Sequence, residues 1–247
     1  MTASDGRQSS VRTRLRRSVS DLKYRLLARA PSKRYWDLMG RFKPIGAVTS
    51  ECKNLTDSMD SGKKVVDLLK ALDTFNETSV TLDIGSGLGR VERHLAPLVG
   101  RCYGADISPS MVGKARRLVP FENVEFTCTN GNDLAPWNDS SIDLVFSFLV
   151  FQHLQRGQAE EYLNAAFAKL RPGGTIVFHM MIDEDHVHAD PPPSHPYGLR
   201  LYSRGDVRGL LARVGFADVS THEMDGGPDQ LQSDGDIVFV AKRPPTP

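Results

Sequence analysis

The chain has 247 residues, 40% hydrophobic and 25% charged, enough for one substantial core and too ordinary in composition for a chain that is disordered throughout. Its net charge of +1 hides an asymmetry: residues 1–50 hold 12 Lys+Arg against 3 Asp+Glu and the remainder 19 against 27, so a basic arm precedes an acidic body. Three cysteines, Cys52, Cys102 and Cys128, with no C-x-x-C, leave no disulfide framework or zinc motif and fit a reduced, cytoplasmic protein, and the lack of an apolar run of about 18 residues or of an apolar leader argues against membrane spanning and secretion.

From Val11 to Leu27 the apolar positions Val11, Leu15, Val19, Leu22 and Leu26 recur at helical spacing with arginines between them, which predicts a basic amphipathic helix ended by Pro31. Three readings of it stand: a cap over a substrate pocket, a solvated or oligomer-forming arm, and a contact with anionic lipid or nucleic acid. Arg34–Phe42 carries Tyr35, Trp36, Leu38, Met39 and Phe42 at helical spacing, either as core packing or as an aromatic cap beside a small-molecule pocket.

A linker from about Thr49 to Asp60 follows, and Ser61 and Gly62 open a helix with Val65, Val66, Leu69 and Leu72 on one face. Strands and helices then alternate: Ser79-Val80-Thr81 runs into LDIGSGLGR, then come helix Val91–Leu98, strand Cys102–Ile107, helix Ser110–Val119, and strands Val124–Thr129 and Ile142–Phe148. Helix Gln158–Leu170, strand Thr175–Met180 and helix Ser203–Val214 continue the series, with Arg171-Pro172-Gly173-Gly174 ending one helix before its strand. Phe216–Glu223 and Ile237–Lys242 close the chain, joined by a polar loop too short for a crossover helix. The expected fold is α/β: a doubly wound, mostly parallel, seven-stranded sheet with a C-terminal antiparallel hairpin and an N-terminal helical arm. The arm spans residues 1–50 and the folded domain 51–247, with a substrate lid over about 181–200.

Ligands in such a sheet bind beyond the carboxyl ends of the strands. The first strand delivers Asp83 and the loop Gly85, Ser86, Gly87, Gly89, where the backbone can approach a ligand at a helix N-terminus. Arg90 stands at the sixth position of G-x-G-x-x-G, so the loop departs from the dinucleotide pattern. The second strand ends in Asp106, about 20 residues on, where a carboxylate can accept from both ribose hydroxyls or simply cap a helix. Beyond the third strand lie Asn132, Asp133 and Leu134, whose polar groups could bind an exocyclic amine or form an ordinary turn.

The ordered set LDIGSGLGR, GADIS, NGNDL, SSIDLVFSFLVFQHL and LRPGG, over roughly residues 60–243, resembles the class I S-adenosylmethionine-dependent methyltransferases of the small-molecule type. The resemblance implies that Gly85, Gly87 and Gly89 wrap the methionine part with Asp83 near its ammonium. It implies Asp106 on the ribose, Ile107 against the adenine, Asp133 or Asn132 on the adenine amine, and Leu149 and Val150 lining the pocket. The loop runs Leu134-Ala135-Pro136 where many relatives have proline directly after leucine.

His153 follows the fourth strand and is the candidate general base; capping or packing is the alternative. His179 ends the fifth strand, and Asp183 and Asp185 follow in the lid, either as a solvated acidic loop or as oxygen ligands for Mg²⁺; a metal is not expected. Tyr35, Trp36, His179 and Tyr197 are placed on the substrate side. The reading is O-methylation of a small-molecule hydroxyl, on a sugar, a phenol or another secondary metabolite. Its rivals are an N-methyltransferase, an RNA-directed enzyme using the basic arm, and a non-catalytic cofactor-binding scaffold.

Overall fold

In a computed structural model the described residues are 32–48, 52–131, 133–185, 198–223 and 235–246. The expected helix Val11–Leu27, Asn132, Tyr197 and most of the lid lie outside them. The elements are α1 (Ser32–Phe42), α2 (Pro44–Val48), α3 (Leu55–Asp60), α4 (Gly62–Ala71), β1 (Val80–Ile84), α5 (Glu92–Leu95), β2 (Arg101–Asp106), α6 (Pro109–Leu118), β3 (Val124–Cys128) and β4 (Ile142–Ser147). Then come α7 (Arg156–Lys169), β5 (Leu170–Met181), α8 (Arg204–Val214), β6 (Ala217–Glu223) and β7 (Asp236–Lys242).

The seven strands form one sheet in the order β3-β2-β1-β4-β5-β7-β6. β1 to β5 pair in parallel and β7 runs antiparallel between β5 and β6. Side chains alternate across the pleat, so each strand feeds two cores. Leu82, Ile84, Val145, Ile176 and Phe178 join Tyr162, Leu163, Leu210 and Leu211 of α7 and α8 on one face. Leu144, Phe146 and Val177 join Val65, Val66 and Leu69 of α4 on the other. Strand order reverses between β1 and β4, which opens the crevice where ligands of open α/β sheets bind.

Three local features differ from the sequence expectation. The linker contains α3, whose N-cap Asn54 accepts a hydrogen bond from Asp57 N at 2.9 Å; its six residues, LTDSMD, are too few and too polar to show an apolar period. The helix expected over Val91–Leu98 ends at Leu95 and tightens into a 3₁₀ turn at Ala96–Leu98, because Pro97 has no N–H to continue the α ladder. β5 starts at Leu170 and incorporates Pro172-Gly173-Gly174. Gly173 sits at φ +84, and the Gly173 and Arg243 amides, each donating to the other segment, extend the ladder with the end of β7.

α1 is fastened to the sheet's ligand-binding end. Asp37 Oδ1 accepts from Ser110 N at 2.9 Å and from Ser108 Oγ at 3.2 Å, at the N-terminus of α6. Gly40 packs on the same turn, where a Cβ would lie 2.6 Å from Ser110 Oγ. Lys33 Nζ donates to the Thr129 carbonyl at 3.0 Å, after β3. Asp37→Ala is expected to lower unfolding stability by about 1–2 kcal/mol, read from the urea midpoint, while Asp37→Asn retains most of it.

Candidate cofactor and active site

β1 ends at Ile84, and the chain turns through Gly85, Gly87 and Gly89 at φ +85, +55 and +79, the left-handed region that a Cβ disfavours. Space enforces the same choice. A Cβ on Gly85 would overlap the Val150 side chain, and one on Gly89 would lie 2.7 Å from the Phe126 ring. The Gly85 and Ser86 amides both donate to the Ala105 carbonyl of β2, at 2.7 and 3.0 Å.

Asp106, at the end of β2, holds this loop. Its Oδ2 accepts from Gly87 N at 2.9 Å and its Oδ1 from Ser108 N at 2.8 Å. Burial raises the Asp106 pKa, and these backbone donors, Ser108 first, oppose the rise. Each carboxylate oxygen keeps a further lone pair for a ligand.

A cavity of about 330 Å³ opens beyond the carboxyl ends of β1, β2 and β4. The glycine loop, Asp83, Asp106, Ile107, Leu149, Val150, His153 and Trp36 all line it. Leu149 stands at φ +64, a conformation that costs a non-glycine residue about 1–2 kcal/mol. Such strain is common where a backbone turn must present itself to a ligand.

His153 lies in the short 3₁₀ turn Phe151–His153 after β4. Its ring centroid is 5.3 Å from that of Trp36 on α1. Arg200 braces the turn, donating from Nη1 to the His153 carbonyl at 2.6 Å and from its amide to the Gln152 carbonyl at 2.9 Å. Burial, and then the Arg200 charge, push the His153 pKa down to about 4, so the imidazole is neutral at pH 7.

The structure therefore gathers Asp83, Gly85, Ser86, Gly87, Asp106, Ile107, Leu149, Val150, His153 and Trp36 on one cavity, while Gly89 shapes the loop from behind. Tyr35 is buried edge-on to Trp36 at 5.2 Å and does not line the cavity. Leu134 belongs to the core with Trp137 and Tyr162. Asp133 accepts from Ala135 N at 3.3 Å in a local turn, and Asn130 and Gly131 form the cavity wall there.

His179 is fully buried within β5 and hydrogen-bonded to Asp236 of β7 at 2.7 Å; it is not among the residues that line the cavity, and its charge would act on His153. Asp183 Oδ1 accepts from Asp185 N at 3.0 Å, the local turn of an ordinary loop, and among the described residues no His, Cys, Asp and Glu cluster could hold a metal ion. Lys33, Arg90 and Phe148 also line the cavity and were not singled out from the sequence as site residues. For Lys33 a signal existed: Lys33, Trp36, Asp37 and Gly40 fall at helical spacing on one face of α1.

The cradle fits a nucleoside cofactor with an amino-acid tail. Glycine backbone lies where side chains would intrude, the Ser86 hydroxyl is buried without a protein partner, and two carboxylates, Asp83 and Asp106, face one cavity. The fold and the site thus define a nucleoside-cofactor-binding α/β domain. Residues 82–178 match the methyltransferase domain family. Phosphoethanolamine N-methyltransferase of Triticum aestivum is 26% identical over 153 residues, 61% of this chain and 29% of the relative. Demethylmenaquinone methyltransferase of Tropheryma whipplei is 34% identical over 97 residues, 39% of each chain. The chain thus spans about a third of the length of these two relatives. Among solved structures, the complex of DhpI with SAH superposes with a TM-score of 0.60 at 21% identity, covering 87% of this chain and 97% of that one. The matched stretch, residues 82–178, is about two fifths of the chain and is what makes it similar to the methyltransferase domain family.

The His153 environment sets a stability signature. A histidine whose pKa falls from about 6.5 unfolded to about 4 folded binds fewer protons when folded, so its share of stability is lost as pH falls through 6.5 towards 4. Between pH 7.5 and 5 this loss is about 2 kcal/mol for the wild type. Urea denaturation of His153→Gln should show a correspondingly flatter pH dependence; an unchanged slope would place the imidazole in water.

Proposed function

We propose that the chain transfers a methyl group from S-adenosylmethionine to a hydroxyl oxygen of a small molecule, with His153 receiving the hydroxyl proton. The observation that carries this reading is a neutral imidazole on the wall of the same cavity that the glycine loop and Asp106 shape for a cofactor. The cofactor supplies a methyl group made electrophilic by its sulfonium.

The chain's residues bind, orient and take up a proton. The loop from Gly85 to Gly89 offers free backbone to the methionine part, and Asp83 meets its ammonium. Asp106 accepts from the ribose hydroxyls through the lone pairs that Gly87 and Ser108 leave unused, and Ile107 packs on the adenine. On the acceptor side Trp36 packs on His153 and Arg200 fixes its turn, so the imidazole is presented in one orientation, and positioning supplies much of the acceleration. Its pKa of about 4 makes it a weak base that is deprotonated at neutral pH, and its contribution falls at the lower end of general-base effects, about 10²-fold.

A nitrogen acceptor is the second reading, favoured by the N-methyltransferase among the relatives. An amine that arrives neutral needs no base. A cytoplasmic location is part of the proposal, supported by the thiols Cys52, Cys102 and Cys128, free of disulfides, which suit a reducing compartment.

Asp106→Ala is expected to weaken S-adenosylhomocysteine binding by roughly 10- to 100-fold, the scale of charge-assisted hydrogen bonds, measured by calorimetry. On a panel of hydroxylated and amine acceptors, His153→Ala should lower kcat about 10²-fold on the hydroxyl acceptor and leave cofactor affinity unchanged. The wild-type rate should stay level down to about pH 5, with no falling limb near pH 6.5. Turnover on amines alone, indifferent to His153→Ala, would establish the nitrogen reading.

A further inference from the structure

Behind the glycine loop lies a group of charges that the proposed reaction does not use. Asp83 of β1 faces the cavity; Glu92, at the start of α5, is wholly buried, and Arg90 is nearly so. Glu92 sits against β2, where a Cβ on Gly104 would come within 2.9 Å of its Oε1. Among the described residues no N–H or O–H group of another residue hydrogen-bonds either Glu92 oxygen. An ionised carboxylate in that position would be a buried charge beside the Asp83 carboxylate, and burial and that neighbour outweigh the help of its own amide and of Arg90. As an acid, Glu92 can itself donate, and the register puts Asp83 beside it: Asp83 pairs across β1 and β2 with Gly104, the position that the Glu92 Oε1 abuts.

We propose that Glu92 is a positioning residue, a buried carboxylic acid whose hydroxyl hydrogen-bonds Asp83 and presents that carboxylate to the cofactor's ammonium, so that cofactor binding releases one proton from the pair. This inference rests on the S-adenosylmethionine reading of the cavity.

The proton count follows from the charges. At neutral pH the free pair holds the Glu92 proton and a fraction of a second one on Asp83. Burial is the main reason Asp83 retains that second proton, with Asp106 adding to it and Arg90 and the Glu92 hydrogen bond opposing it. The other ionisable groups around the pair are Cys102 of β2, whose buried thiol stays protonated, and Cys52, close to Arg90. Arg90 Nη1 reaches Ser61 Oγ at 3.4 Å. Against an ammonium, Asp83 must be ionised, so its proton leaves to solvent while Glu92 keeps its own. Affinity for the cofactor's amino-acid end therefore falls as pH drops below neutrality.

The test is calorimetric titration of the full chain with S-adenosylhomocysteine from pH 5.5 to 8.5, repeated in buffers of different ionisation enthalpy to count protons. Wild type should lose affinity by up to tenfold per pH unit below about 7 and release close to one proton at pH 6 and almost none at pH 8.5. Glu92→Gln, whose amide can still donate to Asp83, should rescue this profile. Glu92→Leu, which cannot donate, should move the loss of affinity to higher pH, and Asp83→Asn should abolish both pH dependence and proton release. A readout without ligand accompanies these: the infrared C=O band of a protonated carboxyl should persist at pH 8 in the free protein and vanish in Glu92→Gln. Tight binding that is flat with pH, or a Glu92→Gln variant as impaired as Glu92→Leu, would overturn the proposal and leave the cofactor reading intact. No binding at any pH would overturn both.

Discussion

The two hydrogen bonds that Asp106 accepts, from the amides of Gly87 and Ser108, hold the site's geometry together. One carboxylate at the end of β2 joins the glycine loop after β1 to the start of α6, two segments that the crevice at the strand-order reversal would otherwise leave apart. Because Ser108 also caps α6 and bonds Asp37, the tie extends to α1. Trp36, on that helix, packs against His153, and His153 is in turn braced by Arg200. Removing the carboxylate would leave two amide donors without partners on the cavity wall, and the cost of unmade hydrogen bonds exceeds the net gain of made ones.

The same wall carries features that local stability alone would select against. Leu149 is held in a left-handed conformation, His153 is half-buried with its pKa depressed, and Asp83 is buried with its pKa raised. Each costs stability in the free protein, and each lies on the one cavity. Strain and desolvated charge concentrated on a single concave surface are what a site preorganised for a charged ligand requires. In this molecule carboxyl and guanidinium groups, Asp83, Asp106 and Arg90, line the same cavity as the rings of Trp36 and His153.

Much of the architecture could be read from periodicity. The alternation of β-branched runs with amphipathic stretches defines the parallel sheet, and the short polar connection between β6 and β7 defines the antiparallel end. Ser108-Pro109 and Ser203 with Asp206 announce their helices because capping is a local interaction. Elements whose form depends on distant partners escaped: α3 is too short to show a period, and the start of β5 is a strand only because Gly173 and Gly174 meet Arg243. Asp83, Asp106 and the glycines were legible since strand ends in this topology converge. That His179 would be buried against Asp236 was not legible, since that partner comes from β7, 57 residues on. Glu92 and Arg90 gave no sequence signal of a buried cluster, since charged residues at a helix start ordinarily face water.

A crystal structure of the chain with S-adenosylhomocysteine tests the central claim most directly. The account predicts the ligand in the cavity beyond β1, β2 and β4, its ribose hydroxyls on Asp106, its amino group at Asp83 and its sulfur turned towards the wall formed by Trp36 and His153. A ligand bound elsewhere, or bound in this cavity with Asp106 contacting only Gly87 and Ser108, would contradict it.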